Sequence, residues 1–358
     1  MIWFFLALVV FTLILQFFAL RRGFQNLEVS VSVSSEAIEP LEETELCMTF
    51  TNRTIFFIPY VRYVMSLPKG IRSPKGVKVQ YGLFVGEEQL KGSIWLKPKE
   101  KLVLRIPVSA EARGRYMFHS ITVDTGDFLG VKSASRSHAV EKEMVVRPKR
   151  ILGGETPEVL GGFLGDRSVR RFLFEDPVLT ASFHEYTGTE PMKSISWTRT
   201  AREGKLMVRR PDFTMEPSVT VALDVSGRED SAEESALMET TFSLARNVLE
   251  YLDRNGVQYD FRMNGMTLGS VGSWEYVTEG CGAKHLAGIL EGLGRAILRT
   301  RFPAEELVRR AVMHTGEQRG IIFVTPGGDS EKEAAVRQIA SRAGNRLLVM
   351  KGTEVPSC

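Results

Sequence analysis

Leu27-Glu28-Val29-Ser30-Val31-Ser32-Val33 alternates apolar and polar residues without a break. That is the period of a strand with one face buried and the other in water. Runs of the same kind recur at Leu46-Cys47-Met48-Thr49-Phe50, Val77-Lys78-Val79, Leu102-Val103-Leu104-Arg105-Ile106 and Met144-Val145-Val146. Pro40, Asn52, Pro68-Lys69-Gly70, Pro98 and Gly114 fall between them and favour turns. Short strands at this spacing predict an antiparallel β-sandwich over residues 27–150.

The period changes further on. Ser218-Val219-Thr220-Val221-Ala222-Leu223-Asp224 is a short apolar run suited to a buried parallel strand. A helical pattern follows over 232–254, ended by Asn255-Gly256. Strands at 258–263, 320–325 and 346–350 then alternate with helices at 285–298, 304–313 and 332–343. Such alternation predicts a doubly wound α/β sheet with its ligand face at the carboxyl ends of the strands. Between the two parts, 151–182 holds Gly153-Gly154, Gly161-Gly162 and Gly165 with Arg167, Arg170 and Arg171. The spacing of a phosphate loop is missing, so this stretch is read as an interdomain linker.

Met1 to Leu20 carry no charged side chain, and Arg21-Arg22 follow at once. Twenty helical residues at about 1.5 Å each match a hydrocarbon core of roughly 30 Å. The run lacks the leading cations and small-residue cleavage site of a secretory signal. It therefore predicts a single-pass membrane anchor over 1–22 with the main body in the cytoplasm. Cys47, Cys281 and Cys358 are scattered and odd in number, as in a reducing compartment. Asn52-Arg53-Thr54 fits a glycosylation sequon by chance. A net charge of +3 is too modest to argue for nucleic acid by itself. The expected class is thus α+β and multi-domain: an N-terminal transmembrane helix, an antiparallel β-sandwich, then a doubly wound α/β domain within 183–358.

Phe183 to Arg210 mixes Trp197 with Lys193, Arg199, Arg202, Lys205, Arg209 and Arg210, and shows no helix period. Glu185-Tyr186, Ile195, Trp197, Ala201-Arg202, Gly204, Leu206 and Val208 fall at the spacing of a block in the bacterial family called domain of unknown function 58, which the chain resembles. His184, Thr189-Glu190 and Ser196 depart from that block. Arg113-Gly114-Arg115-Tyr116 and Asp127-Phe128-Leu129-Gly130 are similar to a further turn of the family. The resemblance implies a C-terminal domain like von Willebrand factor A and, as protein partner, a MoxR-type AAA ATPase. In this signature segment Glu185, Tyr186, Trp197, Arg202, Gly204 and Lys205 are the expected functional residues. Trp197 is expected to bury its ring between the two domains. Arg202 is expected to make charge-assisted bonds to a carboxylate, Glu185 or Glu190 being nearest in sequence, or to strand-end carbonyls, and Gly204 to take a positive φ.

Domains like von Willebrand factor A often hold a divalent cation with Asp-x-Ser-x-Ser after the first strand, a Thr and a later Asp. Asp224 and Ser226 match. Arg228 stands for the second Ser, Lys284 falls at the Thr-bearing loop, and Asp329 lies past the late strand. Two cations in place of neutral oxygens oppose metal binding, so a degenerate site with no metal and no cofactor is expected on the partner face. Catalytic candidates are thin. Cys281 and His285 lack a third partner, Ser226 lacks a nucleophile elbow, and His184 with Glu185 reads as structural. Two functions remain: a membrane-anchored, non-enzymatic interaction module, or a nucleic-acid-binding protein using 193–210 with Tyr186 and Trp197 as stacking groups.

Overall fold

The computed structural model describes residues 3–4, 10–11, 26–73, 79–81, 88–126, 133–151, 156–170, 176–187, 192, 195–212, 218–226, 231–269, 275–315 and 319–354. The chain divides into two compact units. One comprises 1–149, 267–272 and 290–297; the other holds the rest.

In the first unit the strands are β1 (Leu27–Val33), β2 (Ala37–Ile38), β3 (Thr44–Asn52), β4 (Ile58–Leu67), β5 (Ile71–Arg72), β6 (Val79–Tyr81), β7 (Glu88–Leu96), β8 (Lys101–Ala110), β9 (Gly114–Gly126) and β10 (Ser133–Val146). They form two sheets, ordered β1-β3-β8-β5 and β2-β10-β9-β4-β7-β6. Pairing is antiparallel except where β2 meets β10. Alternate residues face the shared core: Leu46, Met48 and Phe50 from β3, Met65 and Leu67 from β4, Ile106 and Val108 from β8, Phe118 and Ile121 from β9. Each such side chain contributes about 1.5–3 kcal/mol by leaving water. Phe50 and Tyr63 meet across the core with ring centroids 5.6 Å apart.

Arg113 and Arg115 of the Arg-Gly-x-Tyr run hold the later segment that belongs to this unit. Arg113 Nη1 donates to the carbonyls of Leu293 and Ala296, both at 2.7 Å. Glu143 accepts from Arg295 and from Arg115, each at 2.6 Å. The hydrogen bond from Arg295 is the largest of several causes that hold the Glu143 carboxyl below its usual range. The turn at 127–130 lies outside the described residues.

In the second unit Asp176–Glu185 and Met207–Asp212 pair antiparallel. Its main sheet runs Tyr276–Gly280, Gln258–Met263, Ser218–Leu223, Gly320–Thr325, Arg346–Lys351. The last four are parallel and the first is antiparallel. Ala222, Ile321 and Phe323 pack against Ala304, Leu307, Val308 and Ala311 of the helix Ala304–Thr315 and Val336 of the helix Ser330–Arg342. The helix Ala232–Arg254 starts at Ser231, whose hydroxyl accepts from the Glu233 N–H, and buries Phe242, Ala245, Val248, Leu249 and Leu252.

Three expectations are corrected. Among the described residues strand outweighs helix, 45% to 32%, so the fold is mostly β with sandwich-like sheets rather than α+β as expected. Nothing among the described residues identifies a domain like von Willebrand factor A. Among the described residues no helix is long and apolar enough to cross a membrane, so the transmembrane anchor and the cell-membrane location it implied are not upheld. Most of 1–22 lies outside those residues. The stretch read as a linker contains the helix Thr156–Arg170. Glycine lowers helix propensity by about 1 kcal/mol, which hid it. Packing supplies what propensity lacks: Leu160 is fully buried, a Cβ on Gly161 would stand 3.4 Å from the Tyr251 hydroxyl, and the Arg346 guanidinium lies 5.1 Å from the Phe163 ring centre.

Gly92 of β7 sits opposite Tyr63 of β4, and any Cβ there would collide with the Tyr63 ring. The ring covers the gap left by the glycine. Gly92→Ala is expected to lose about 1–3 kcal/mol, read as a lower urea midpoint. In a Tyr63→Leu background the same change should lose less than half as much.

Candidate functional site

Asp224 follows directly on the strand Ser218–Leu223 and its side chain is wholly buried. A carboxylate there needs donors on both oxygens, since a buried charge without partners is strongly destabilising. Oδ1 accepts from the Ser226 N–H at 3.1 Å, the Ser226 hydroxyl, and Asn264 Nδ2 at 2.8 Å. Oδ2 accepts from the Thr325 hydroxyl at 3.2 Å and from Lys332 Nζ at 3.0 Å. Asn264 completes the frame: its Oδ1 takes the Val225 N–H at 2.7 Å and its Nδ2 also reaches the Phe302 carbonyl at 3.3 Å.

Asp224 and Ser226 were expected here, with Arg228 and Lys284 as the cations of the site. The cation in place is Lys332, 108 residues away, while Lys284 is exposed and Arg228 lies outside the described residues. Gly327 and Gly328, with φ of 94° and 88°, turn the chain from Thr325 back to the helix Ser330–Arg342. Asp329 is no ligand but the cap of that helix, accepting from the Lys332 N–H at 3.0 Å. No local spacing reveals Lys332, because its place depends on that turn. One donor on Asp224, Lys332 Nζ, already carries a full positive charge, which opposes a metal ion at the same oxygen. Among the described residues no group of His, Cys, Asp and Glu gathers as a metal site.

The signature segment is brought together by the antiparallel pair Asp176–Glu185 and Met207–Asp212. Ile195 bridges to Val208, and both are buried. The Ser196 N–H donates to the Met207 carbonyl at 2.8 Å, and the Met207 N–H to the Thr200 hydroxyl at 3.0 Å. The Tyr186 N–H reaches the Leu206 carbonyl at 2.8 Å. On this base stands the short helix Trp197–Glu203, closed by Gly204 at φ 71°. The helix buries no residue. Trp197 was expected inside and is 64% exposed; Ile195 and Ser196 fill the buried positions instead. Lys205 pairs with Glu185 at 3.2 Å, and Arg199 with Glu203 at 3.1 Å. Arg202 is exposed on the last turn, not joined to Glu185. Glu190 and Lys193 lie outside the described residues.

Cys281 and His285 are engaged separately. The Cys281 thiol lies 3.7 Å from Asp253 Oδ1, and His285 Nε2 lies 3.1 Å from the Tyr259 carbonyl. Desolvation, then the Asp253 carboxylate, pushes the Cys281 thiol up, the reverse of what a nucleophile needs.

No protein family and no curated protein matches the chain. Among solved structures it is similar over 34% of its length to a cohesin module of a Clostridium perfringens family 33 glycoside hydrolase (97% of that chain, 13% identity, TM-score 0.24). It is similar likewise to a type II cohesin of Acetivibrio cellulolyticus (34% and 95%, 9% identity, 0.23). A third is the CARDB domain of a Pyrococcus furiosus protein with two metal ions (34% and 90%, 14% identity, 0.21). At these scores the likenesses carry no argument about this chain.

Removing one partner of the buried pair strands the other. Lys332→Met is expected to lose about 3–5 kcal/mol, measured by denaturant unfolding, and Asp224→Asn in addition should regain part of it. Millimolar Mg²⁺ or Mn²⁺ should leave the melting temperature of the unaltered chain where it is, since only a bound ion adds stability.

Proposed function

We propose that the chain is a non-enzymatic protein-interaction module that meets its partner through Met192, Trp197 and Leu206. The observation that carries this is the 64% exposure of Trp197 on a helix that buries nothing. A tryptophan in water gains little by staying there, whereas indoles dominate the energy of protein interfaces. Met192 and Leu206 of the same segment are also exposed, and Met adapts well to a partner surface. Arg199 and Lys205 already have carboxylate partners, which favours an apolar contact over a charged one. The family resemblance makes a MoxR-type AAA ATPase the partner to test first.

Nucleic acid is the second reading, favoured by one observation: Trp197 and Arg202 are both exposed on the same short helix, which offers a stacking ring and a cation.

Trp197→Ala should keep the melting temperature, within about 0.5 kcal/mol of stability as surface changes do. It should weaken capture of the purified MoxR-type ATPase, assayed with and without ATP, by tenfold or more. Equal capture by the variant sinks the module reading for this segment. Retention of single-stranded DNA that falls steeply with salt and requires Trp197 would support the second reading.

A further inference from the structure

Asn52, at the end of β3, is fully buried, and its amide is spent inside the protein. Nδ2 donates to the carbonyls of Phe56 and Lys97, both at 2.8 Å. Oδ1 accepts from the Thr54 N–H at 3.0 Å and the Thr54 hydroxyl at 2.7 Å. Thr54 Oγ1 also accepts from the Phe56 N–H at 3.2 Å. One side chain thus locks the loop 53–57 to the turn 97–100, and a sequon whose asparagine is sealed in this way offers no glycosylation site in the folded chain.

The locked loop presents apolar groups to water. Ile55 is 71% exposed, Trp95 53%, and Phe57 and Tyr60 are exposed beside them. The Phe57 and Trp95 rings stand 5.8 Å apart at 39°. Lys97 Nζ lies 5.7 Å from the Trp95 ring centre. Lys99 Nζ reaches the Arg53 carbonyl at 2.9 Å, and Lys101 is exposed next to it. Of the carboxylates nearby, Glu28 is paired with Arg53 and Glu100 accepts from the Lys97 N–H. The tip is apolar and aromatic at its centre and positive at its rim.

We propose that this tip docks on an anionic phospholipid surface. Trp and Tyr settle at the headgroup level, Ile55 and Phe57 supply apolar depth, and Lys97, Lys99 and Lys101 answer the negative surface potential. The rim charge selects an anionic occupant, and an exposed loop held in place by Asn52 suits a surface. Contact of this kind is peripheral and requires no spanning helix.

The test uses the full chain with its three cysteines changed to serine and an environment-sensitive fluorophore on Ile55→Cys or, as an exposed control in the other unit, on Met313→Cys. With vesicles of phosphatidylcholine and phosphatidylserine, emission at 55 should shift to the blue and be quenched by brominated lipid, while emission at 313 stays unchanged. Lys97→Glu with Lys99→Glu should lower the partition by more than tenfold, at roughly fivefold per lysine. Those variants must keep the melting temperature, so that misfolding is not mistaken for lost docking. If emission at 55 stays that of water while the protein floats with the vesicles, or if phosphatidylcholine alone shifts it equally, the proposal is overturned. Trp197 plays no part in this readout.

Discussion

The buried carboxylate of Asp224 sets the terms for the parallel sheet. It stands where the strand Ser218–Leu223 ends, and it is satisfied only if Asn264, Thr325 and Lys332 all arrive from their own strand or helix. Losing any donor leaves part of a buried charge unpaired, a penalty of order 1–3 kcal/mol for a single hydrogen bond and more for the ion pair. The carboxylate therefore ties three strand ends and one helix start into a single arrangement.

Asn52 plays a comparable part in the sandwich. It is uncharged, so the stakes per bond are lower, but all of its amide hydrogen bonds go to main-chain or hydroxyl groups of one loop and one turn. In both units a sealed polar group fixes backbone that would otherwise be free to move. Fixed backbone is what allows a short loop or helix to hold a large apolar side chain in water without collapsing over it.

Much of the strand pattern was legible because half-buried strands advertise their period: Leu27–Val33 and Thr44–Asn52 alternate in sequence and in burial. The buried run Ser218–Leu223 was legible from its β-branched, apolar composition. What escaped was set by tertiary context. The helix Thr156–Arg170 has poor local propensity and is placed by Leu160 and the close approach of Gly161 to Tyr251. Lys332 meets Asp224 only through the turn at Gly327 and Gly328. Trp197 has the composition of a core residue, yet the buried register of its segment is taken by Ile195 and Val208. A tryptophan's affinity for the core is an average tendency, and strand register overrides it here.

Exposed aromatics on rigid supports are the common thread of the functional reading. Binding loses free energy to ordering, about 0.5–1.5 kcal/mol for each rotamer-rich side chain that is immobilised. Trp and Phe have few rotatable bonds, and here their backbones are already held: the Trp197 helix by Met207 and Gly204, the Ile55–Phe57 loop by Asn52 and Thr54. Little ordering is left to be done when a partner or a surface arrives, so most of the apolar area covered appears as affinity. The same rigidity implies that substitutions in the supports and in the tips act differently. Asn52→Ala would loosen the loop and weaken binding through entropy while leaving its contact groups unchanged. Trp95→Ala would remove contact and leave the loop in place. Contacts and their preorganisation are thus separable here, because different residues carry them.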